Sequence, residues 1–215
     1  MKYGVLGTGD VARTIADKLI ALGHEVMMGA RSSANDKAAA WAAANGKRAH
    51  HGTFADAARF GERVFNSVQG IHSVEALQSA GAENLKGKIL IDQSNPYIYR
   101  NGHTLIASEY SGEVCLGEAN QAFLPQTKVV KTLNYLHYGL MTRPQVLPES
   151  ITGFYCGNDA EAKAAVAQLL HDFGWKDTFD LGDISMSRYT EMLGAFWVPL
   201  YNQLGHMNWG LKLVR

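Results

Sequence analysis

Only two cysteines occur in the 215 residues, Cys115 and Cys156, far apart and without metal-ligand spacing. They frame neither a disulfide scaffold nor a thiolate metal site, so reduced, buried thiols in a cytoplasmic protein are the expectation. Among eight histidines, His50 and His51 are adjacent, but no His-x-x-x-His or acidic partner pattern accompanies them, and no metal is expected. Charge of one sign is missing as well. The formal net charge is zero with both signs scattered, so nothing points to nucleic acid or an acidic membrane surface. No apolar run approaches the ~20 residues of a membrane span, and no secretory apolar segment precedes the first strand.

What is present begins with "MKYGVLGTGDVARTIADKLIALGHEV". Tyr3 to Leu6 reads as a buried strand, and Val11, Ile15, Leu19 and Leu22 recur at helical spacing up to Gly23. Gly7, Gly9 and Ala12 therefore form G-x-G-x-x-A at a strand-to-helix turn, the context a dinucleotide fingerprint requires. Gly7 would permit the tight turn, Gly9 would leave room for a pyrophosphate, and Ala12 would let the helix pack close. The N–H groups of Asp10 and Val11 would face the phosphates at the positive end of the helix dipole. The Asp10 carboxylate should turn away from them and cap the helix. The plain alternative is a glycine turn closing an ordinary strand–helix unit.

The second strand, His24 to Met28, runs into "GARSSANDK". An NAD site places Asp or Glu about 20 residues past the glycines to accept from the ribose hydroxyls. Here the neighbourhood holds Gly29, Ala30, Arg31, Ser32 and Ser33. Arg31 offers a fork of donors and a fixed charge suited to a ribose 2′-phosphate. Ser32, Thr8 and Lys37 could add donors. A solvated Arg31 and a serine that merely caps the next helix is the bland reading. The missing acid favours NADP.

Strand and helix signals alternate almost to the end, as in a doubly wound, Rossmann-type, mostly parallel α/β sheet. Ser32 or Ser33 opens an alanine-rich helix stopped by Gly46, a short strand follows near Ala49, and a helix covers Thr53 to Phe60. Strands are expected at Arg63–Val68, in "KILIDQSNP" and in "KVVKTLNYL", with a helix at Glu118–Leu124 before the last. Tyr97 to Gly112 reads as irregular. These elements make residues 1–140 a dinucleotide-binding domain, and residues 141–215 a small α/β extension packed on it. The extension holds strand Ile151–Cys156, helix Ala160–Phe173, strand Thr178–Leu181 and a long helix from about Ser187, which Pro199 should kink. Along that helix Tyr189, Met192, Leu193, Phe196, Trp197, Leu200, Tyr201 and Leu204 keep helical spacing. A core-packing stripe is the expectation. A ligand wall or a homodimer seam stays open.

"GTGDVA", "GHEVMMGARSS", "LIDQSNP", "TKVVKTLN", "YCGNDAEAKAAVAQLL" and "DLGDISMSRYTEML" occur in this order along nearly the whole chain. The chain thereby resembles the NADP-dependent deazaflavin (coenzyme F-420) reductases and their bacterial relatives. Its "GTGD" turn also resembles the NADPH domain of the six-transmembrane metalloreductases. The resemblance implies phosphate binding by Gly7, Thr8, Gly9, Asp10 and Val11, with the 2′-phosphate held by Arg31 and Ser32. It implies a nicotinamide flanked by Asn66, Ser67 and Val68 and by Asn95 and Pro96, and an acceptor floor in Asn134, Tyr135, Leu136 and His137. Trp197 is a further candidate for the acceptor wall. Two stretches depart from the family pattern. Ser67-Val68-Gln69-Gly70 stands where a proline is usual, and bulky "YLHYGLM" where the family is small and apolar. Both lie on the acceptor side, and flavin, quinone or another planar redox acceptor stays open beside a deazaflavin.

Hydride transfer from nicotinamide to a conjugated ring needs alignment at contact distance more than a general acid. No triad is expected, and Ser94, His137 and Asp92 are not assigned one. Asn66 and Asn134 would orient rings by hydrogen bonds, while His137 is either a late proton donor or a satisfied structural residue. Lys131 raises the alternative of a carbonyl reductase with a lysine acid, although on a strand it and Asn134 would project to opposite faces. A protein that binds NADP as a sensor or scaffold and transfers nothing is the rival from another class.

Overall fold

The computed structural model describes all 215 residues. Strand β1 (Lys2–Leu6), helix α1 (Asp10–Ala21), β2 (Glu25–Ala30), α2 (Asp36–Asn45), β3 (Ala49–Thr53), α3 (Phe54–Phe60) and β4 (Arg63–Asn66) form the first half. Helices α4 (Ser73–Ala80) and α5 (Ala82–Leu85), β5 (Ile89–Asp92), β6 (Tyr97–Arg100), β7 (His103–Ile106), α6 (Leu116–Phe123) and β8 (Lys128–Thr132) form the second. After the short α7 (Tyr138–Met141) come β9 (Thr152–Gly157), α8 (Ala160–Phe173), β10 (Asp177–Asp180) and α9 (Ser187–Leu204). Eight strands make one sheet in the order β10-β9-β8-β5-β4-β1-β2-β3. All neighbours are parallel except β8 and β9, so β9 carries the residues after 140 into the same sheet. The order reverses between β1 and β4, which opens the crevice where ligands of doubly wound sheets bind.

Alternation along the strands sorts side chains onto two cores. Tyr3, Val5, Phe65, Ile91 and Val130 pack under α1, α2 and α8, while Leu6, Val64, Leu90 and Val129 pack under α3, α4 and α5. Each row is nearly continuous aliphatic and aromatic, as strands covered on both faces demand. The second row changes character at the carboxyl ends of the strands. Asn66, Asp92 and Lys131 are direct cross-strand neighbours there, and none is exposed.

Several expectations are corrected. Helix α2 is capped by the Asn35 side chain, which accepts from the Ala38 N–H, and neither Ser32 nor Ser33 caps it. The stretch after Pro96 is not irregular: β6 and β7 form an antiparallel hairpin around Asn101 and Gly102, both with positive φ (52° and 79°). Strand β4 ends at Asn66 rather than Val68. Strand β8 ends at Thr132, because Leu133 turns the chain with a left-handed φ of 61°. The strand alternation between Lys131 and Asn134 is therefore broken. Helix α9 buries Ser187, Thr190, Glu191 and Gly194, whereas Tyr189, Met192, Phe196 and Leu204 are exposed. The expected core-packing stripe is split: Leu193, Trp197, Leu200 and Tyr201 are half-buried, while the innermost face meets the polar strand ends with small or charged side chains. Pro199 lies inside α9 without ending it.

Candidate functional site

The glycine turn separates two requirements. Gly7 has φ of +124°, and a Cβ there would meet the Ser67 carbonyl oxygen at 2.8 Å. Glycine is needed at this position to bring the ends of β1 and β4 together. Gly9 precedes α1 in extended conformation, and a Cβ added to it would meet no protein atom within 4 Å. Packing does not demand a glycine there, and the open space lies at the helix N-terminus, where N–H groups and the dipole favour an anion. Ala12 is fully buried. Asp10 does not cap the helix: its carboxylate pairs with the Arg13 guanidinium on the solvent side.

Two cavities flank this turn. Thr8, Gly9, Asp10, Lys37 and Tyr138 line one of about 890 Å³. Arg31 lines another of about 330 Å³ with Val68, Gln69, His72 and Ser79. Arg31 thus follows the end of β2 and lines a cavity beside α4. Lys37 is set apart from it on the other side of the turn. Ser32 is exposed, and its hydroxyl accepts from the Ala34 N–H at 3.2 Å. Val68 lines the same cavity as Arg31.

The second end is built from the loops after β4, β5 and β8. Ser67 Oγ donates to Gln93 Oε1 at 2.8 Å. Asn95 Nδ2 donates to the Asn134 carbonyl at 2.5 Å, and Asn134 Nδ2 returns a bond to Asn95 Oδ1 at 2.9 Å. Asn134 is 3 % exposed, and its Oδ1 has no partner. That is an acceptor without a donor at the position assigned to the nicotinamide and its acceptor. Pro96 is buried beside this pair. Asn66, expected to orient a ring, also carries an Oδ1 without a partner. Its side chain is fully buried, and Nδ2 donates to Ser73 Oγ at 2.8 Å and Asp92 Oδ1 at 2.9 Å.

Leu136 is buried and His137 half-buried, with the His137 ring stacked on Trp197 at 6.0 Å and 15°. Trp197 in turn stacks on Tyr201 and Trp209, and its Nε1 is buried without a partner. His137 Nδ1 accepts from the Gly139 N–H and so caps α7. Burial lowers its pKa below the usual value, against the pull of Asp10. One ring nitrogen of His137 is thus engaged by the backbone, and burial disfavours its charged form.

One group of residues was not anticipated as a unit. Lys131 Nζ lies 3.0 Å from Asp92 Oδ2 and 3.1 Å from Glu191 Oε1, and it donates to the Ser94 carbonyl at 2.5 Å. Burial pulls the ammonium down, but Asp92 and Glu191 outweigh it and hold the pKa above the usual lysine value. With all three N–H groups used and no exposed surface, Lys131 cannot serve as the acid of a carbonyl reductase. Its signal was in the sequence: Asp92 and Lys131 interrupt two aliphatic strands, and a charge in a covered strand needs a buried partner.

These features fit NADP: open space at Gly9, a cationic fork in place of an acid after β2, and an unpartnered acceptor at Asn134. The family model described as NADP oxidoreductase, coenzyme F420-dependent, matches residues 2–96. A candidate F420-dependent NADP-reductase from Arthrobacter sp. FB24 is 41 % identical, with both chains fully covered and a TM-score of 0.93. Metalloreductase STEAP3 of Rattus norvegicus is 30 % identical over 95 % of this chain, which spans only 39 % of that protein's length. An imine reductase from Aspergillus terreus, solved with NADPH4, is 14 % identical over 95 % of this chain and 62 % of its own, at a TM-score of 0.64. That likeness is one of fold alone. Fold, cofactor cleft and relatives agree: the chain is an NADP-dependent oxidoreductase and belongs to the coenzyme F420-dependent NADP oxidoreductase family.

Proposed function

We propose that this protein transfers hydride between NADP(H) and a planar ring acceptor such as a deazaflavin or flavin. The observation that carries the reading is the reciprocal Asn95–Asn134 pair beside the half-buried Trp197 and His137 rings. The bound cofactor supplies or receives the hydride at its nicotinamide ring. Gly9 and the first N–H groups of α1 hold the pyrophosphate, with Thr8 beside them. Arg31 holds the 2′-phosphate. Asn134 Oδ1 accepts from an N–H of the nicotinamide or of the facing ring and so fixes its rotation. Trp197 and Leu136 supply the flat and apolar wall that excludes water from the transfer. No side chain needs to move a proton in the hydride step, which agrees with a neutral His137 already bonded to Gly139. Alignment of the two rings is the chain's main contribution.

The exposed face of α9 supports a homodimer, since no Asp, Glu, Lys or Arg falls between Met192 and Leu211 and apolar patches of this kind mark interfaces. The free, buried thiols of Cys115 and Cys156 suit a reducing, cytoplasmic setting. No helix is long and apolar enough to cross a membrane.

An acceptor panel tests the reading. Oxidation of NADPH is followed at the nicotinamide absorbance band with deazaflavin, riboflavin, a quinone and a ferric chelate in parallel. Steady oxidation by at least one ring, with turnover lowered in Asn134→Ala while NADP affinity stays nearly unchanged, is the expected result. Tight NADPH binding without oxidation by any acceptor would make the protein a sensor instead.

A further inference from the structure

We propose that Lys131 is a positioning residue for the nicotinamide end of the cleft: its ammonium fixes the Ser94–Pro96 loop between strand β8 and helix α9. The inference rests on the hydride-transfer reading above.

Three charges share this site, with Lys131 and Asp92 fully buried and Glu191 1 % exposed. Removing ions from water costs several kcal/mol each, and an apolar cluster of the same volume often stabilises a fold equally well. The surrounding rows show that this chain fills such positions with Val, Leu and Ile. What the charges achieve is direction. Asp92 is fixed by Asn66 Nδ2, by the N–H and Oγ of Ser94, and by Asn120 Nδ2 at 3.0 Å. Glu191, reaching in from α9, also accepts the N–H groups of Leu116 and Gly117 at the start of α6. Between these anchors the Lys131 ammonium has one donor left, and it goes to the Ser94 carbonyl.

That bond sets the peptide leading into Asn95, whose side chain then meets Asn134. Helix α9 closes the same loop from outside. Tyr97 Oη donates to the Glu191 carbonyl at 2.7 Å. At Gly194 a Cβ would meet Tyr97 Oη at 2.0 Å and the Asn134 carbonyl at 2.8 Å. One ammonium therefore links the carboxyl ends of β5 and β8 to α9 around the loop assigned to the nicotinamide. It lies too deep to touch a ring, and the phosphate-binding turn is built from other residues.

The test uses the fluorescence of bound NADPH, which rises when the nicotinamide ring is immobilised and needs no acceptor. In wild type, binding should raise it clearly. Absence of binding there would overturn the NADP reading itself, separately from this one. Lys131→Met should keep the NADPH dissociation constant within about threefold while losing most of the enhancement, and kcat with any reduced acceptor should fall about tenfold or more. That variant leaves two buried carboxylates without a counter-ion and can fold poorly. Lys131→Met combined with Glu191→Gln removes one charge of each sign and should recover the melting temperature but not the enhancement or kcat. Wild-type fluorescence in either variant would overturn the proposal. So would recovery of enhancement together with melting temperature in the double variant, because the cluster would then act on stability alone.

Discussion

Asn95 and Asn134 hold each other from two loops separated by 39 residues, each side chain donating to the other residue. The pair joins the loops after β5 and β8, across the β1–β4 switch point from Arg31 after β2. On the function proposed above, charge recognition and ring alignment fall to different residues. Substitutions at the two ends should affect different quantities.

At the Arg31 end, Arg31→Glu replaces a cationic fork with a carboxylate facing the 2′-phosphate. NADP binding should weaken by about 1.5–3 kcal/mol or more, while NAD binding changes little. Calorimetric titration of both nucleotides into both proteins measures this. Equal wild-type affinities for NADP and NAD would show that Arg31 is only a solvated loop residue.

Gly9 and Gly7 should fail in opposite ways. Gly9→Val places a branched side chain in space that holds no protein atom, so nucleotide binding should vanish with the melting temperature nearly intact. Gly7→Val meets both a left-handed φ and the Ser67 carbonyl, and should cost stability on the order of 1–3 kcal/mol or more. Thermal melts with and without NADP separate the two. An unfolded Gly9→Val protein would assign that glycine to packing.

Stability should fall as pH drops below the usual histidine value of 6.5. Burial lowers the pKa of both His24 and His137 in the folded protein. The unfolded chain therefore takes up those protons first, and stability rises with pH through this window. His137→Asn keeps an acceptor for the Gly139 N–H and should flatten part of the slope between about pH 7 and 5.5. A wild-type melting temperature that rises on acidification would contradict the two shifts.

Much of this was legible in the sequence, for identifiable reasons. Gly7, Gly9 and Ala12 are set by local backbone geometry, and Arg31 by its place after a strand, so spacing alone exposes where they lie. The β6–β7 hairpin was equally local: Asn101-Gly102 is the pair that type I′ turns prefer, and reading "YRNGHT" as irregular overlooked it. Helix α9 misled for a physical reason. Periodicity finds an apolar stripe but not which side a helix turns inward, and here Gly194 and Glu191 decided that by contacts with residues far away in the chain. Lys131 could have been flagged as a charge in a covered strand. Its partner Glu191 could not, because 60 residues separate them and only the fold brings α9 across β8.

Hydride transfer itself is tested most directly by a single turnover with NADPH carrying deuterium at C4 of the nicotinamide, using a 5-deazaflavin as acceptor. Carbon-bound hydrogen at C5 of the reduced ring does not exchange with water, so the label reports where the hydride went. The account predicts deuterium at C5 when one of the two C4 positions is labelled and none when the other is. A reduced ring carrying only solvent hydrogen, or labelled equally from both positions, would contradict it.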